Sequence, residues 1–179
     1  MNREKLLYAI EKYDPWDEEK AFPAKFKTLL THANAYQRSH LPGHITGSAW
    51  IIDETKSYVL LTHHAKLNKW LQPGGHADGE ENILSVALRE AREETGLTDF
   101  GIISAGVFDL DIHPIPAHRD FPQHWHYDVR FAFQAEKAQP LVVTNESHAL
   151  SWIPLRSLAQ KTEGNTSIIR MARKTELLP

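Results

Sequence analysis

The segment from Gly75 to Leu97 constrains the fold and chemistry of this chain more than any other part of the sequence. Apolar residues recur in its middle at helical spacing, and Glu90, Glu93 and Glu94 follow near its end. Side chains three and four positions apart lie on one face of a helix. Three carboxylates on one face repel one another unless a cation lies among them, and hard divalent ions prefer oxygen ligands. The segment therefore predicts a helix over about 83–95 that carries a metal site.

The ends of this predicted helix are marked by local signals. Asn82 is a favourable N-cap, and Gly96 stands where a left-handed C-terminal cap is common. Glutamates at helical spacing usually form a solvated face, which is the alternative interpretation. Here they lie near the C-terminal end, where the helix dipole disfavours negative charge, and only Arg89 and Arg92 are close in sequence. A bound cation would offset that cost.

Composition narrows the classes of protein to consider. A chain of 179 residues is expected to form one domain. It has no cysteine, which excludes disulfides, thiolate zinc sites and a cysteine nucleophile. The net charge is -3, so no long nucleic acid is expected as a partner. The charged N-terminus and the lack of a long apolar run favour a cytoplasmic protein with no membrane partner.

The order of predicted elements indicates a mixed sheet packed by helices. Residues 1 to about 40 are predicted to be helical, with apolar stripes from Leu6 to Ile10 and from Phe22 to Tyr36. Strands begin at His44, and a polar turn at Asp53–Lys56 predicts a hairpin. The remaining predictions are strands at 102–112, 126–134 and 149–153, followed by helices at 155–160 and 167–174.

The same segment resembles the Nudix box, G-x5-E-x7-R-E-U-x-E-E-x-G-U, in which U is apolar. Each fixed position of the pattern is filled, by Gly75, Glu81, Arg89, Glu90, Glu93, Glu94, Gly96 and the apolar residues Ala91 and Leu97. The stretches TGSAWIID, LTHHAKLNKWLQPGGH and FDLDIHPIP are similar to a bacterial Nudix subgroup of undefined substrate. This resemblance implies the Nudix fold, an α/β/α sandwich with a mixed β-sheet. The expected division is an N-terminal helical extension over 1–42 and a Nudix domain over 43–179.

The resemblance also implies roles for individual residues. Glu90, Glu93 and Glu94 would hold one to three Mg²⁺ or Mn²⁺ ions, and Arg89 would orient a glutamate. Glu81 would be an outer or bridging acid of the metal site. The backbone carbonyl of Gly74 resembles a further metal ligand, Gly75 would permit a tight loop, and Gly75 and His76 are expected to touch the substrate.

A further acid outside the box is a candidate base. Many Nudix proteins use a glutamate from a loop some six residues before an aromatic residue in a late strand. Glu146 stands six positions before Trp152 and fits that pattern. The two interpretations of Glu146 are a metal ligand or general base and a plain surface-loop acid.

Histidine is unusually frequent, with 11 in the chain. His113, His118, His124 and His126 are bunched, and His124 and His126 would share a face on a strand. One interpretation is a transition-metal site. The favoured one is a polar strand and loop at the edge of the pocket, in which His113, His124 and His126 contact substrate phosphates or solvent. The loop predicted at 114–123 would then help to select the substrate.

The resulting functional hypothesis is a divalent-metal-dependent Nudix hydrolase. Its substrate would be a nucleoside diphosphate linked to another moiety, cut within the diphosphate. An isopentenyl-diphosphate isomerase is discounted, because that branch uses a catalytic cysteine. A non-catalytic Nudix module that binds a nucleotide remains the alternative. A homodimer is a further expectation, and the sequence does not select one substrate.

Overall fold

The computed structural model describes residues 1–104, 106–118 and 121–179. Within these ranges none of the helices combines the length and apolar character needed to cross a lipid bilayer. The helices are α1 (Arg3–Lys12), α2 (Phe22–Leu29), α3 (Ile83–Thr95), α4 (Leu158–Lys161) and α5 (Thr166–Thr175), with short 3₁₀ turns at Asp17–Glu19 and Leu155–Ser157. The strands are β1 (Gly43–Ile52), β2 (Tyr58–His64), β3 (Lys69–Leu71), β4 (Gly74–His76), β5 (Gly101–Ile102), β6 (Asp109–Ile115), β7 (His124–Gln134) and β8 (Ser147–Pro154).

One mixed sheet, centred on β1, contains these eight strands. β1 runs parallel to β7 along its full length and antiparallel to β2 and β4. Beyond β7 lie β5 and β6, and beyond β2 lie β3 and β8, all antiparallel to their neighbours. The predicted hairpin of β1 and β2 and the predicted mixed sheet are therefore confirmed.

Helices cover both faces of the sheet. Ile45, Ala49 and Ile51 of β1 join one buried cluster together with apolar residues of α1, α2 and α3. Trp50 and Ile52 point to the opposite face, where they pack with residues of α4 and α5. Successive side chains of a strand alternate between faces, so β1 contributes to both clusters. The arrangement confirms the predicted α/β/α sandwich with helices at its N-terminus.

The N-terminal helices pack into the same core as the sheet. Leu6 and Ile10 of α1 and Phe26 of α2 are at most 1% exposed and lie in the cluster that also contains the apolar face of α3. The rings of Phe26 and Tyr127 from β7 pack in a T-shaped arrangement with 5.3 Å between their centroids. These contacts make residues 1–42 an integral part of the packed structure, whereas the division of the chain at residue 42 remains a prediction.

Two predicted elements differ from the structure. The second N-terminal helix ends at Leu29 rather than near Tyr36, because Thr31, His32 and Asn34 are poor helix formers. Tyr36 is nevertheless buried, since a series of turns carries it back into the core.

The strand predicted at 102–112 is in fact two strands, β5 and β6, and Ala105 between them lies outside the described residues. β6 continues through Pro114, which pairs with Trp125 of β7. Proline is accommodated there because β6 is an edge strand within the described part of the sheet. The predicted loop at 114–123 is accordingly shorter, and its residues Arg119 and Asp120 are outside the described ranges.

A buried network of charged side chains joins the 3₁₀ turn between α1 and α2 to the sheet and to α5. Asp109 accepts from Arg130 at 3.0 Å and from Arg170 at 2.7 Å, and Lys174 lies 2.8 Å from its other oxygen. Lys174 also contacts Glu19 of the first 3₁₀ turn at 2.7 Å. Burial disfavours the charged form of Asp109, but the hydrogen bonds from Arg170 and the charges of Arg130 and Lys174 outweigh it and lower its pKa.

Candidate active site

The helix that carries the glutamates has the predicted bounds, Ile83–Thr95. The side chain of Asn82 accepts a hydrogen bond from the amide of Ser85, and Gly96 adopts φ 74°, the left-handed conformation of a C-terminal cap. Its buried residues are Ile83, Val86, Ala87, Ala91, Glu94 and Thr95. The apolar side chains among them hold α3 against the sheet, so the helix presents its glutamates from a fixed position.

The three glutamates of α3 differ in exposure. The side chain of Glu93 is 59% exposed, that of Glu90 is 12% exposed, and Glu94 as a residue is 6% exposed. Oε1 of Glu94 accepts a hydrogen bond from the amide of Gly74 at 2.8 Å. One Arg89 nitrogen lies 2.7 Å from Glu90 and 3.1 Å from Glu93, so Arg89 bridges two of the carboxylates.

The electrostatics of the site disfavour its negative charges. Burial raises the pKa of Glu94 to about 7; the hydrogen bond from Gly74 opposes this shift, and the charges of Glu90 and Glu146 add to it. Burial also raises the pKa of Glu90, against the opposing charge of Arg89 and with help from Glu93 and Glu146. A divalent cation among these carboxylates would favour their charged forms and so lower their pKa values.

The two glycines before the helix lie in β4 rather than in the predicted loop, because Gly74 and Gly75 pair with Ser48 and Gly47 of β1. The chain instead turns at Gly79, which has φ 93°. Gly75 is needed for a different reason: a Cβ atom there would lie 2.6 Å from Cδ of Glu90. The absence of a side chain at position 75 therefore makes room for a carboxylate of the site.

Glu81 is placed against the N-terminal region. Its Oε1 lies 2.8 Å from Nη2 of Arg3, and Arg3 also donates hydrogen bonds to the carbonyls of Leu30, His32 and Ala33. Glu81 thus links the box to α1 and to the segment that follows α2. Its predicted part in a metal site, and that of the Gly74 carbonyl, remain predictions.

Glu146 lies on the exposed loop before β8, and its carbonyl accepts a hydrogen bond from the amide of Ala65 at 2.9 Å. Its charge contributes to the raised pKa values of both Glu90 and Glu94. The fold therefore brings Glu146 into the electrostatic neighbourhood of the box glutamates, although the loop is remote from them in sequence.

The structure gathers three of the predicted histidines with one that the sequence analysis did not select. His76 of β4 and His124 and His126 of β7 lie beside His44 of β1, and ligand nitrogens of all four are within 4.8 Å of one another. We call these four residues the histidine cluster. His113 of β6 lies next to it, with its ring 5.5 Å from that of His126. Burial lowers the pKa of His44 and of His76 to about 4.

His44 was missed because its importance depends on a pairing remote in sequence. It is opposite His126 in the parallel register of β1 and β7. It stands at the start of a predicted strand, but nothing local in the sequence indicates which strand lies beside it. The signal that could have found it is the even spacing of His44, Thr46 and Ser48, three polar residues on one face of an otherwise apolar strand.

Comparison of the sequence with known protein families identifies the family of this chain. The NUDIX domain family model matches residues 43–174. The chain belongs to the Nudix family, whose named members include hydrolases of pyrophosphate bonds.

Two relatives and one solved structure illustrate the similarity. The human m7GpppN-mRNA hydrolase NUDT17 is 29% identical over 122 residues, which cover 60% of this chain and 37% of the human protein. A probable DHNTP pyrophosphohydrolase of Lactococcus lactis is 28% identical over 97 residues, covering 53% of this chain and 56% of that protein. The chain thus spans less than two thirds of either relative. The MutT protein of Methanosarcina mazei has the same fold, with a TM-score of 0.57 at 18% identity, over 76% of this chain and 94% of that one.

Proposed function

We propose that this protein is a divalent-metal-dependent hydrolase that cleaves the diphosphate linkage of a nucleoside diphosphate joined to a second moiety. The observation that carries the proposal is the complete glutamate set of α3, with Glu94 buried against the amide of Gly74. Buried carboxylates with raised pKa values are costly to keep charged, and a cation would offset that cost.

The residues present fit Mg²⁺ or Mn²⁺. The donors are carboxylate oxygens, which these hard ions prefer, and Gly75 leaves space for the carboxylate of Glu90. We infer that Glu90, Glu93 and Glu94 hold the ion, with the carbonyl of Gly74 and the carboxylate of Glu81 as further candidates. When bound, such ions neutralise phosphate oxygens and lower the pKa of an attacking water.

The protein's own side chains would then position the metal-binding carboxylates and take a proton from the attacking water. Arg89 bridges Glu90 and Glu93 and also donates a hydrogen bond to the carbonyl of His76 at 3.0 Å. This clamp would keep the two carboxylates aimed at a common point. Glu146 has an exposed side chain close enough to influence Glu90 and Glu94, so it is our candidate for the base that takes the proton from water.

The substrate and partners belong to the same proposal. Names of relatives refer to m7GpppN-mRNA and to DHNTP, which share a polyphosphate bearing a heterocycle. A small nucleotide or nucleoside diphosphate derivative is our preferred substrate, since the net charge of -3 offers little attraction for long nucleic acid. Gly75, His76, His113, His124 and His126 remain predicted substrate contacts; for His76, His124 and His126, contact with the substrate and ligation of an ion in a closed site exclude each other. A homodimer and a cytoplasmic location also remain predictions.

A substrate panel with product identification tests the proposal. The panel contains nucleoside triphosphates, DHNTP, ADP-ribose, dinucleoside polyphosphates, nucleotide sugars and capped RNA, each with Mg²⁺ or Mn²⁺ and with EDTA. We expect turnover of at least one member, dependent on the ion, and a loss of roughly 100-fold or more in Glu93→Gln. The exposed Glu4→Gln on α1 is the matched control and should keep full activity.

Two outcomes would contradict parts of this proposal. No turnover of any member by the wild-type protein would favour the non-catalytic nucleotide-binding module. Near-wild-type turnover by Glu146→Gln would remove Glu146 as the base while leaving the glutamates of α3 in place.

A further inference from the structure

The histidine cluster lies on a different face of the sheet from α3. His44 and Ile45 are adjacent on β1, so their side chains point to opposite faces of the sheet. His44 points to the same face as Trp50 and Ile52, which pack with α4 and α5. β4 brings in His76 beside Thr46, and β7 brings in His126 opposite His44. Three strands thus deliver four imidazoles to one place.

The ring nitrogens of the cluster point towards one another. Nδ1 of His124 lies 2.9 Å from the carbonyl of Pro122, so it carries the proton of a neutral ring and leaves the Nε2 lone pair free. That Nε2 is 3.3 Å from Nε2 of His126. Two nitrogens on a tetrahedral zinc ion, with Zn–N of about 2.05 Å, are separated by roughly 3.4 Å. The observed spacing matches one edge of such a tetrahedron.

His44 supplies an independent observation. Its side chain is completely buried, and its Nε2 has no hydrogen-bond partner among the described residues. Its Nδ1 faces the carbonyl of His40 at 3.4 Å, which again leaves Nε2 as the nitrogen that faces the cluster. A buried polar atom without a partner needs an explanation, and a missing ion is one of the recognised causes. Here the unpartnered atom belongs to the cluster itself.

The chemistry of the donors identifies the class of ion. The cluster offers four imidazole nitrogens and no oxygen, which is unsuited to Mg²⁺ and suited to first-row transition ions. Four protein ligands with no open position are typical of a structural zinc site rather than a catalytic one. We propose that the histidine cluster binds one Zn²⁺ ion, which ties β4, at the start of the Nudix box, to β1 and β7.

Zinc binding by the full-length, untagged protein tests this proposal. After treatment with chelator, the protein is titrated with ZnCl₂ by calorimetry and its thermal midpoint is recorded. We expect one Zn²⁺ per chain and a midpoint raised by roughly 5–10 °C at 100 times Kd. In His76→Gln and His126→Gln the affinity should fall by more than the roughly 10–100-fold that outer partners of a metal ligand are worth.

Two control variants separate this site from others. His32→Gln, at an exposed histidine on the same chain, should bind zinc as the wild type does. Glu93→Gln should also keep its zinc, because it alters only the carboxylate site. This readout makes no use of activity, so failure of the catalytic proposal leaves the zinc proposal standing, and the reverse also holds.

Cobalt substitution provides a second measurement where a variant folds poorly. Co²⁺ in four nitrogen ligands should give the intense visible absorption of a tetrahedral site in the wild type and in His32→Gln. The proposal is overturned if wild-type protein binds no stoichiometric zinc. It is equally overturned if Glu93→Gln abolishes binding while His76→Gln and His126→Gln retain it, since the ion would then belong to the carboxylates.

Discussion

At the scale of single residues, Glu94 shows how burial of a carboxyl group can carry a cost in stability. It is a charged residue on the buried face of a helix, 6% exposed, with a backbone amide as its hydrogen-bond donor. Its neighbour Glu93 occupies the same helix and the same motif but is largely exposed. The two residues therefore make a matched pair for separating a role in stability from a role in catalysis.

We expect Glu94→Gln to stabilise the metal-free protein at alkaline pH. The pKa of Glu94 is about 7 in the folded protein, above the value of roughly 4.3 for an unfolded glutamate. The folded state therefore binds the proton more tightly, so the penalty is absent below about pH 4 and complete above about pH 7. Urea unfolding in EDTA at pH 8 should show a gain of about 2–4 kcal/mol, which vanishes at pH 4.

Glu93→Gln is the control for this measurement and should change stability by no more than about 0.5 kcal/mol at either pH, because its side chain is exposed. Both variants should be inactive under the catalytic proposal. A Glu94→Gln variant that is clearly less stable than wild type at pH 8 without metal would show that the charged carboxylate of Glu94 does not destabilise the folded protein.

At the scale of elements, local sequence signals predicted the helix bounds and the hairpin, whereas the pairing of strands remote in sequence could not be predicted. The bounds of α3 follow from Asn82 and Gly96, whose capping roles depend on their immediate neighbours. The hairpin of β1 and β2 was predictable for the same reason. The parallel pairing of β1 with β7 joins segments about 80 residues apart, and no short-range pattern specifies it. The histidine cluster depends on that pairing, so the sequence alone marks His44 as a polar residue on a strand face but does not place it beside His126.

The N-terminal helix α1 is expected to contribute to the stability of the whole domain. Leu6 is fully buried against the core shared with α3, whereas Tyr8 on the same helix is 63% exposed. Leu6→Ala should lower the free energy of unfolding by about 2–5 kcal/mol, because it removes packing and leaves a cavity. Tyr8→Ala should change it by about 0.5 kcal/mol or less. Urea unfolding of both variants provides the comparison.

A small effect of Leu6→Ala would indicate that residues 1–42 fold independently of the sheet. A single cooperative transition with the expected loss would show instead that the extension and the Nudix domain unfold together. The sequence predicted the helix and its apolar stripe, but the stripe alone does not specify which surface covers it.

At the scale of the whole molecule, the buried charges around Asp109 connect distant parts of the chain. Arg130 comes from the centre of the sheet, Arg170 and Lys174 from the C-terminal helix, and Glu19 from the N-terminal region. Charged residues scattered through a sequence are usually solvated, so the pattern gave no indication that these would meet in the interior. Their mutual contacts arise only once the sheet and both helical layers are assembled.

This network predicts sensitivity to acid. The folded-state pKa of Asp109 lies below its unfolded value of roughly 3.9, so the unfolded chain takes up a proton first as pH falls. The stabilisation is complete above about pH 5 and is lost as pH falls from about 4 through the folded pKa. Urea unfolding between pH 6 and pH 3 should show this loss. At pH 7, Asp109→Asn should cost about 3–5 kcal/mol, because it leaves buried cations without their partner.

The exposed Asp17→Asn is the control and should be within about 0.5 kcal/mol of wild type. An unfolding free energy for Asp109→Asn equal to that of the wild type at pH 7 would mean that the network adds nothing to stability. A flat profile between pH 6 and pH 3 would disagree with the lowered pKa of Asp109.

His76 occupies a position where two kinds of chemistry meet. Its ring belongs to the histidine cluster, while its backbone carbonyl accepts a hydrogen bond from Arg89, which grips Glu90 and Glu93. A coupling free energy between the histidine cluster and the carboxylates would change the ion affinity of each site by the same factor. Under the two proposals, a zinc ion at the histidine cluster that improved the position of Arg89 would itself bind more tightly when a cation occupied the carboxylates. Each ion affinity measured with the other site empty would then be weaker than the affinity measured with both sites filled.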